Sequence, residues 1–250
     1  MNNFYFKKME SCASTNDEAW KIPNTQWPAL VSTDSQTNGR GRQGRVWSTA
    51  PGLQILATLI FKPALPPEQI TWIPVLAGIC AHEAIAAIDL GLAERLRLKW
   101  PNDLYVGTSK IGGILCESRF QGSELAGVVV GIGLNLASSP RIDRNTTSIA
   151  EMLEDSSFQI SLHHFRNRFL NSWASLLVAA ATPPIDRTYW SQKWNHYARL
   201  DSFFELDVRN SPQTMVRARV HELTEEGCLK VRILEGERAG ELVFLTQVDS

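Results

Sequence analysis

Asn38-Gly-Arg-Gly-Arg-Gln-Gly-Arg-Val-Trp47 is followed after a short turn by the apolar run Leu53-Gln-Ile-Leu-Ala-Thr-Leu-Ile-Phe61. The first segment contains three glycines and three arginines and ends on a tryptophan. Glycine lets the backbone approach a ligand closely, and arginine presents forked donors that suit carboxylates and phosphates. The second segment predicts a strand that stops before Pro63. Together they predict a loop that leads into a sheet and closes over an anion.

The bulk composition is that of an ordinary globular protein. The chain has 250 residues, of which 44% are hydrophobic and 20% charged, with a net charge of −1. Because the chain has no overall basic charge, composition argues against a general nucleic-acid or membrane-surface binder. The apolar run 75–93 is interrupted by His82, Glu83 and Asp89, so it predicts a buried helix and no membrane span.

The termini and the cysteines indicate a reducing compartment. The segment Met1–Lys8 does not continue into an apolar core, so it does not resemble a signal peptide. The four cysteines have no C-x-x-C spacing, which argues against a zinc site or a disulfide framework and suits the cytoplasm.

Hydrophobic periodicity predicts an α+β fold. Strands are expected at residues 4–9, 29–32, 53–61, 95–99, 110–117 and 125–134, and helices at 14–20, 70–89 and 186–196. A further helix is predicted by an apolar stripe at helical spacing, formed by Leu162, Phe165, Phe169, Trp173 and Leu176.

The last fifty residues change to a period of two. Alternating runs begin near residues 204, 216, 229 and 242 and are separated by turn residues. Four or five short antiparallel strands predict a small barrel. We therefore expect a main domain over residues 1–198 and a small β-barrel domain over 199–250.

The glycine spacing Gly39-x-Gly41-x-x-Gly44 matches the dinucleotide-binding fingerprint, but its context does not. The fingerprint requires a helix directly after the glycines, and the segment 46–52 contains Pro51 and does not predict one. A solvated basic turn is the plain alternative, and a single loop in a chain that is not basic fits an RNA-binding segment poorly.

Three further stretches combine small or polar residues with strand ends. They are Lys99-Trp-Pro-Asn-Asp103, Lys110-Ile-Gly-Gly-Ile114 and Gly131-Ile-Gly-Leu-Asn135. Glycine inside a strand often marks close approach by a ligand, and an asparagine amide can face an adenine edge. Taken singly, they also fit an Asx turn, a surface lysine beside a bulge and a strand-to-loop turn. Taken together with the arginine loop, they predict an electrostatic nucleotide or anhydride site without a nucleophile.

The motifs Ser14-Thr-Asn16, Gly39–Trp47, Lys99–Asp103, Lys110–Ile114 and Gly131–Asn135 resemble, in order and spacing, those of the biotin protein ligases. These enzymes attach biotin to the carrier domain of biotin-dependent carboxylases such as acetyl-CoA carboxylase. The resemblance implies a class II synthetase-like catalytic domain, a mixed or antiparallel sheet with helices on one side, and an SH3-like C-terminal barrel. The Ser-Thr-Asn motif begins at residue 14, so no N-terminal DNA-binding domain is expected.

The resemblance also implies roles for individual residues. Biotin-binding positions are Ser14, Thr15, Asn16, Gln36, Gly39, Arg40, Gly41, Arg42, Lys110 and Gly113. Nucleotide-binding positions are Arg40, Arg42, Arg45, Trp47, Lys99, Asn102, Lys110 and Asn135. Catalytic roles fall to Lys110, Arg42 and Asp103, with Asp103 orienting or deprotonating the carrier amine. No protein ligand for a metal is expected.

The implied reaction uses biotin, ATP and Mg²⁺ to make biotinyl-5′-AMP and then transfers biotin to a lysine of the carrier protein. The expected partner is the biotin carboxyl carrier protein, with no DNA and no membrane, and a homodimer is left open. Two alternatives also remain open: a lipoate or octanoate ligase or transferase on a related fold, and a non-catalytic biotin- or nucleotide-binding module.

Overall fold

The computed structural model of the chain describes residues 4–137, 145–154, 160–198, 200, 203–207 and 215–246. Its helices are α1 (Thr15–Ala19), α2 (Ile73–Ala86), α3 (Leu90–Arg95), α4 (Ile149–Glu154), α5 (Leu162–Ala180) and α6 (Arg187–Tyr197). Its strands are β1 (Tyr5–Cys12), β2 (Ala29–Gln36), β3 (Gln54–Phe61), β4 (Leu96–Lys99), β5 (Asp103–Val106), β6 (Ser109–Gln121), β7 (Glu124–Asn135), β8 (Phe203–Asp207), β9 (Met215–Leu223), β10 (Leu229–Ile233) and β11 (Leu242–Leu245). Short 3-10 turns lie at Asn24–Gln26, Arg42–Gly44 and Pro67–Trp72.

The larger sheet is mixed, as predicted. Its seven strands run in the order β1-β2-β3-β7-β6-β5-β4. The pair β1 and β2 is parallel because α1 lies between them in the chain, and every other neighbouring pair in this sheet is antiparallel. The long strands β3, β6 and β7 lie side by side at its centre, so residues far apart in sequence meet there.

One face of this sheet carries the main hydrophobic core. Even-numbered residues of β7, such as Val130, Ile132 and Leu134, belong to one large buried cluster with side chains of α2 and α5. Helix α5 presents Phe165, Phe169 and Trp173 to this core, which confirms the stripe read from the sequence. The long helices α2 and α5 therefore lie on one side of the sheet, as predicted.

The opposite face is covered only in part. The five-residue helix α1 packs there with Ala19 against a small cluster that includes Val31, Ile60 and Val129. The remainder of that face is left to polar and glycine residues, and it is where the predicted motif residues meet.

The apolar run in the middle of the chain is a core helix. The segment Pro67–Ala86 is apolar and long enough to cross a membrane, yet 67% of its most apolar window is buried inside the protein. It is divided into a 3-10 turn and α2, with Pro74 in the first turn of α2 where proline is tolerated. The sequence predicted one helix over 70–89, whereas α2 covers only Ile73–Ala86 of that range. Helix α3 follows as a separate helix, capped by Asp89.

The C-terminal region forms a second sheet in the order β11-β10-β9-β8, antiparallel throughout. Its buried residues, including Val220, Leu229 and Val231, join the same hydrophobic core as the first sheet. Two backbone hydrogen bonds of Leu223 to the side chain of Asn195 attach β9 to α6. Residues 199, 201–202, 208–214 and 247–250 lie outside the described ranges, so closure into a barrel and the domain division at 198/199 stay predictions.

Candidate active site

The half-open face of the sheet is floored by glycines of β7. Gly127, Gly131 and Gly133 alternate with core residues and therefore point to the face that carries α1. A methyl group on Gly131 would lie 2.4 Å from Oδ1 of Asn16, and one on Gly133 would lie 2.5 Å from the Trp47 ring. Glycine is required here because two predicted site residues rest directly on the strand.

The predicted biotin-side residues form a buried polar cluster above Gly131. Ser14, Thr15 and Asn16 are each at most 4% exposed at the start of α1. The Thr15 backbone N–H donates to Oε1 of Gln36 at 2.7 Å, and the Asn16 amide donates to Glu117 at 2.7 Å. The structure therefore brings these four predicted residues together.

Hydroxyl groups connect the cluster to the centre of the sheet. Oγ1 of Thr58 lies 2.8 Å from Oγ1 of Thr15 and 2.7 Å from Oδ1 of Asn16. Oγ1 of Thr15 in turn donates to Oε1 of Gln36 at 3.1 Å, so two hydroxyl protons serve three contacts and the Thr58 proton is shared between Thr15 and Asn16. The result is a neutral pocket wall that offers both donors and acceptors.

The glycine–arginine loop folds back on itself as a small hairpin. The Trp47 N–H donates to the Gly39 carbonyl at 2.9 Å, and the Gly41 N–H donates to the Arg45 carbonyl at 2.6 Å. At its tip, Gln43 and Gly44 have φ values of 54° and 71°, the left-handed pair typical of a tight two-residue hairpin turn. The hairpin places Trp47 at its base.

The base of the loop is held from the far side of the protein. Arg166 of α5 donates to Asp34 at 2.9 Å, and to the carbonyls of Gly52 and Gln54 at 3.1 and 3.0 Å. Asp34 precedes the loop and the two carbonyls follow it. Both ends of the loop are therefore fixed to one guanidinium group.

Charged residues line up across the sheet beside Trp47. Strand pairing places Lys99, Asp103, Gly113 and Gly133 in one continuous row, each opposite the next. Nζ of Lys110 lies 2.5 Å from Oδ1 of Asp103, and their side chains are 16% and 22% exposed. A methyl group on Gly113 would come within 3.2 to 3.4 Å of this ion pair. The predicted catalytic lysine and aspartate are thus direct partners, with a glycine floor below them.

Trp47 lies beside this ion pair, and Arg42 is close enough to interact with the charge of Asp103. Nζ of Lys110 is 5.7 Å from the centroid of a Trp47 ring, within cation–π range. Burial lowers the pKa of the Arg42 guanidinium, and the Asp103 carboxylate acts in the opposite direction. Arg42 is therefore half-buried near Asp103, and the three predicted catalytic residues share one locality.

Other predicted residues are occupied by protein contacts. The Asn102 amide donates to the carbonyl of Ile114. The Asn135 amide, 3% exposed, accepts from Gln54 and donates to the Thr147 carbonyl. Arg45 is exposed at the loop tip and donates to Gln43. Their predicted roles toward a nucleotide stay predictions, and the structure gives Asn102 and Asn135 a part in holding strands together.

Three site residues were not found from the sequence. Thr58 joins Thr15 and Asn16, Glu117 accepts from Asn16, and Asp17 pairs with Arg40. Thr58 left a signal, since it is a polar residue in the otherwise apolar stretch 55–61. The other two left none, because acidic residues at these positions read as solvated side chains.

The described residues do not group three or more His, Cys, Asp or Glu side chains where they would hold a metal ion. Asp103 faces Lys110, and the other two carboxylates of the site, Asp17 and Glu117, face Arg40. This donor set suits Mg²⁺ that is bound mainly by nucleotide phosphates and water, the usual mode for this ion.

Sequence comparison identifies relatives over the segment that carries these motifs. The chain is 40% identical over 131 residues to the biotin–[acetyl-CoA-carboxylase] ligase of Paracoccus denitrificans, a match that covers 51% of this chain and 52% of that protein. It is 32% identical over 130 residues to the bifunctional ligase/repressor BirA of Bacillus subtilis, covering 51% and 39%. The matched segment thus spans about half or less of the length of these relatives.

Structural comparison extends over nearly the whole chain. Biotin protein ligase from Leishmania major in complex with biotinyl-5-AMP superposes with a TM-score of 0.67 at 24% identity, covering 98% of this chain and 99% of that one. The enzyme from Aquifex aeolicus in complex with biotin and ATP gives 0.68 at 19% identity, covering 97% and 99%. These matches confirm the predicted catalytic fold, a mixed sheet with helices, while the C-terminal barrel stays a prediction. The family model described as biotin/lipoate A/B protein ligase matches residues 5–135, which is more than half of the chain. The protein therefore belongs to the biotin/lipoate A/B protein ligase family.

Proposed function

We propose that this protein is an ATP-dependent biotin protein ligase, which makes biotinyl-5′-AMP and transfers biotin to a lysine of a carboxylase carrier protein. The observation that carries the proposal is that two unlike clusters of polar side chains lie next to each other on one sheet face. A neutral cluster around Asn16 stands above Gly131, and the ion pair of Lys110 and Asp103 stands above Gly113. The similarity to the biotin–[acetyl-CoA-carboxylase] ligase of Paracoccus denitrificans supports the same conclusion.

The neutral cluster suits the ureido ring of biotin. Amides and hydroxyls of Thr15, Asn16, Gln36 and Thr58 provide both donors and acceptors in a buried setting. A urea group has a carbonyl acceptor and two N–H donors, so its burial requires such partners. These groups bond to one another in the structure, yet their spare donor and acceptor capacity could be used by a urea group and not by an aliphatic chain such as that of lipoate. The cluster therefore favours biotin over lipoate or octanoate.

The cationic side suits the first half-reaction. Joining the carboxylate of biotin to the α-phosphorus of ATP brings two anions together, so fixed cations lower the barrier. Lys110 is held by Asp103 and capped by the Trp47 ring, and Arg42 lies close by. Mg²⁺ bound with the nucleotide would supply further positive charge to the leaving pyrophosphate.

The loop over Trp47 suits retention of the intermediate. Trp47 rests on Gly133 with Nε1 buried and without a hydrogen-bond partner among the described residues. This donor is free to meet a ligand atom inside the site. A loop seated there would shield a mixed anhydride from water before the carrier amine attacks it.

Asp103 supports the second half-reaction by position. Its carboxylate holds Lys110 at 2.5 Å, so orienting cations and the incoming amine is the role that the geometry favours. None of the four cysteines, all of which lie in described parts of the chain, forms a disulfide. This suits a reducing compartment, and we place the protein in the cytoplasm.

One assay tests the proposal. The purified chain is incubated with ATP, Mg²⁺ and a biotin carboxyl carrier domain, with either biotin or lipoate, and the mass of the carrier is measured. We expect a mass increase with biotin only, and none when the carrier lysine is replaced by arginine. Modification by lipoate and not by biotin would reject biotin as the substrate. Binding of biotin without any modification would indicate a non-catalytic module.

A further inference from the structure

Arg40 is the loop arginine whose partners the structure defines most fully. Its two terminal nitrogens donate to the two carboxylate oxygens of Asp17, both at 2.7 Å. Oε1 of Glu117 also lies 3.6 Å from Nη2 of the same guanidinium. The hydrogen bonds with Asp17 lower the pKa of Asp17 and raise that of Arg40. A bidentate pair of this kind fixes the orientation of the arginine as well as its position.

The pair joins two separate parts of the site. Asp17 belongs to α1, directly after the predicted biotin residues Thr15 and Asn16. Arg40 belongs to the loop hairpin, where it is bridged to Val46 next to Trp47. The loop is thus connected to α1 at a point one residue away from the neutral cluster.

Glu117 extends the connection into that cluster. Its Oε2 accepts from the Asn16 amide at 2.7 Å, while Oε1 faces Arg40. Three consecutive residues of α1 therefore bind four different segments. Thr15 contacts Gln36 of β2, Asn16 contacts Thr58 and Glu117, and Asp17 contacts the loop.

We propose that Asp17 and Arg40 form a latch that holds the loop 38–47 down on α1, so that Asp17 is a positioning residue for retention of the adenylate. The effect on adenylate retention rests on the proposed function, whereas the latch itself rests only on the contacts described above. The latch also divides the loop arginines by task. Arg40 secures the loop through protein carboxylates, whereas Arg42 interacts with the charge of Asp103.

Trypsin tests the latch in the protein without any substrate, because the loop carries its own cleavage sites at Arg42 and the exposed Arg45. Asp17→Ala should raise the rate of cleavage after Arg45 roughly two- to fivefold, the range expected for loss of a partly exposed ion pair. The side chain of Asp17 is 44% exposed, so the substitution should leave the fold intact, and the unfolding midpoint checks this.

Glu18→Ala is the matched control. Glu18 is the next residue of the same helix and pairs with Lys7 and Lys21, away from the loop. The Glu18→Ala substitution should leave the rate of cleavage after Arg45 unchanged. Equal acceleration by both variants, or none by Asp17→Ala, would overturn the latch.

Two further variants separate the latch from a direct role of Arg40 at the ligand. If the pair acts as a unit, Asp17→Ala combined with Arg40→Ala should loosen the loop no more than either change alone. The exchange Asp17→Arg with Arg40→Asp should restore slow cleavage. A double variant whose effect equals the product of the single effects would overturn the pairing.

The functional readout is biotinyl-5′-AMP released into solution per biotin transferred. Asp17→Ala should raise this ratio two- to fivefold, whereas Glu18→Ala should not. If the unsubstituted protein makes no adenylate, the proposed function is wrong. The trypsin cleavage rates would still show whether Asp17 and Arg40 hold the loop on α1. If adenylate is made and its release is unchanged in Asp17→Ala, the positioning role is rejected and the proposed function stands.

Discussion

Replacing Gly131 by alanine tests the close approach on which the neutral pocket depends. The added methyl group would lie 2.4 Å from Oδ1 and 3.2 Å from Cγ of Asn16, about 1 Å short of an ordinary contact. Asn16 is 3% exposed and is held by a 2.7 Å bond to Glu117 and another to Thr58. A movement of about 1 Å would stretch both contacts beyond hydrogen-bonding distance.

The magnitude follows from those two contacts. A hydrogen bond to a charged group contributes about 1.5–3 kcal/mol and a neutral one about 1 kcal/mol. We therefore expect Gly131→Ala to lower the free energy of unfolding by at most about 2.5–4 kcal/mol. Misplacing one buried polar partner of biotin, at about 1–3 kcal/mol, should raise the KM for biotin roughly 5- to 150-fold.

Gly127→Ala provides the control on the same strand and the same face. A methyl group there would lie 2.6 Å from the Trp27 ring, remote from the motif residues. It should lower stability by about 1–3 kcal/mol through overpacking and leave the KM for biotin unchanged. Urea unfolding and adenylate-formation kinetics measure both quantities. If Gly131→Ala destabilises the protein but keeps the unsubstituted KM for biotin, Asn16 does not face biotin.

Three further predictions concern single side chains. Lys110→Ala should lower the rate of adenylate formation about 10²- to 10³-fold with little change in the unfolding midpoint, as followed by biotin-dependent pyrophosphate release; a near-normal rate would remove Lys110 from the mechanism. Arg42→Gly should increase the biotinyl-5′-AMP found free in solution, and no increase would show that Arg42 does not help to retain it. Burial lowers the pKa of His82 to about 4, so the folded protein keeps it neutral while the unfolded chain protonates it below about pH 6.5. The free energy of unfolding should therefore fall as pH falls through this window, by about 2 kcal/mol from His82 at pH 5. His82→Phe, which keeps a ring stacked on Tyr197, should remove that part of the loss in urea unfolding at pH 5 and 7.5; an unchanged loss would contradict the assignment.

Most elements of the fold were predictable because their hydrophobic patterns are long. The stripe of α5 and the apolar run of β3 are examples. Strand β5 was missed because it has four residues and follows Pro101 and Asn102, which read as a turn. Helix α4 was also missed, although Ser148 and Glu151 form the reciprocal hydrogen bonds of a capping box. That signal was present in the sequence.

The site was predictable only where a motif is local. Lys110 and Asp103 lie seven positions apart, and the turn between β5 and β6 brings them together. Asn16, by contrast, meets Thr58 and Glu117 across 42 and 101 positions. Such contacts depend on which strands are neighbours and in what register, which periodicity does not determine.

Strand β7 serves two surfaces with one alternation, glycines toward the site and Val130, Ile132 and Leu134 toward the core. Inserting or deleting a single residue within this strand would reverse the two faces. The aliphatic side chains would then lie on the site face, beneath Asn16 and Trp47, and the glycines would lie in the core. A change in the length of this strand would therefore disrupt both the packing of the core and the fit of a ligand. The exposed turn 121–124 between β6 and β7 carries neither constraint, so variation in chain length among related proteins should concentrate at such turns and spare the middle of this strand.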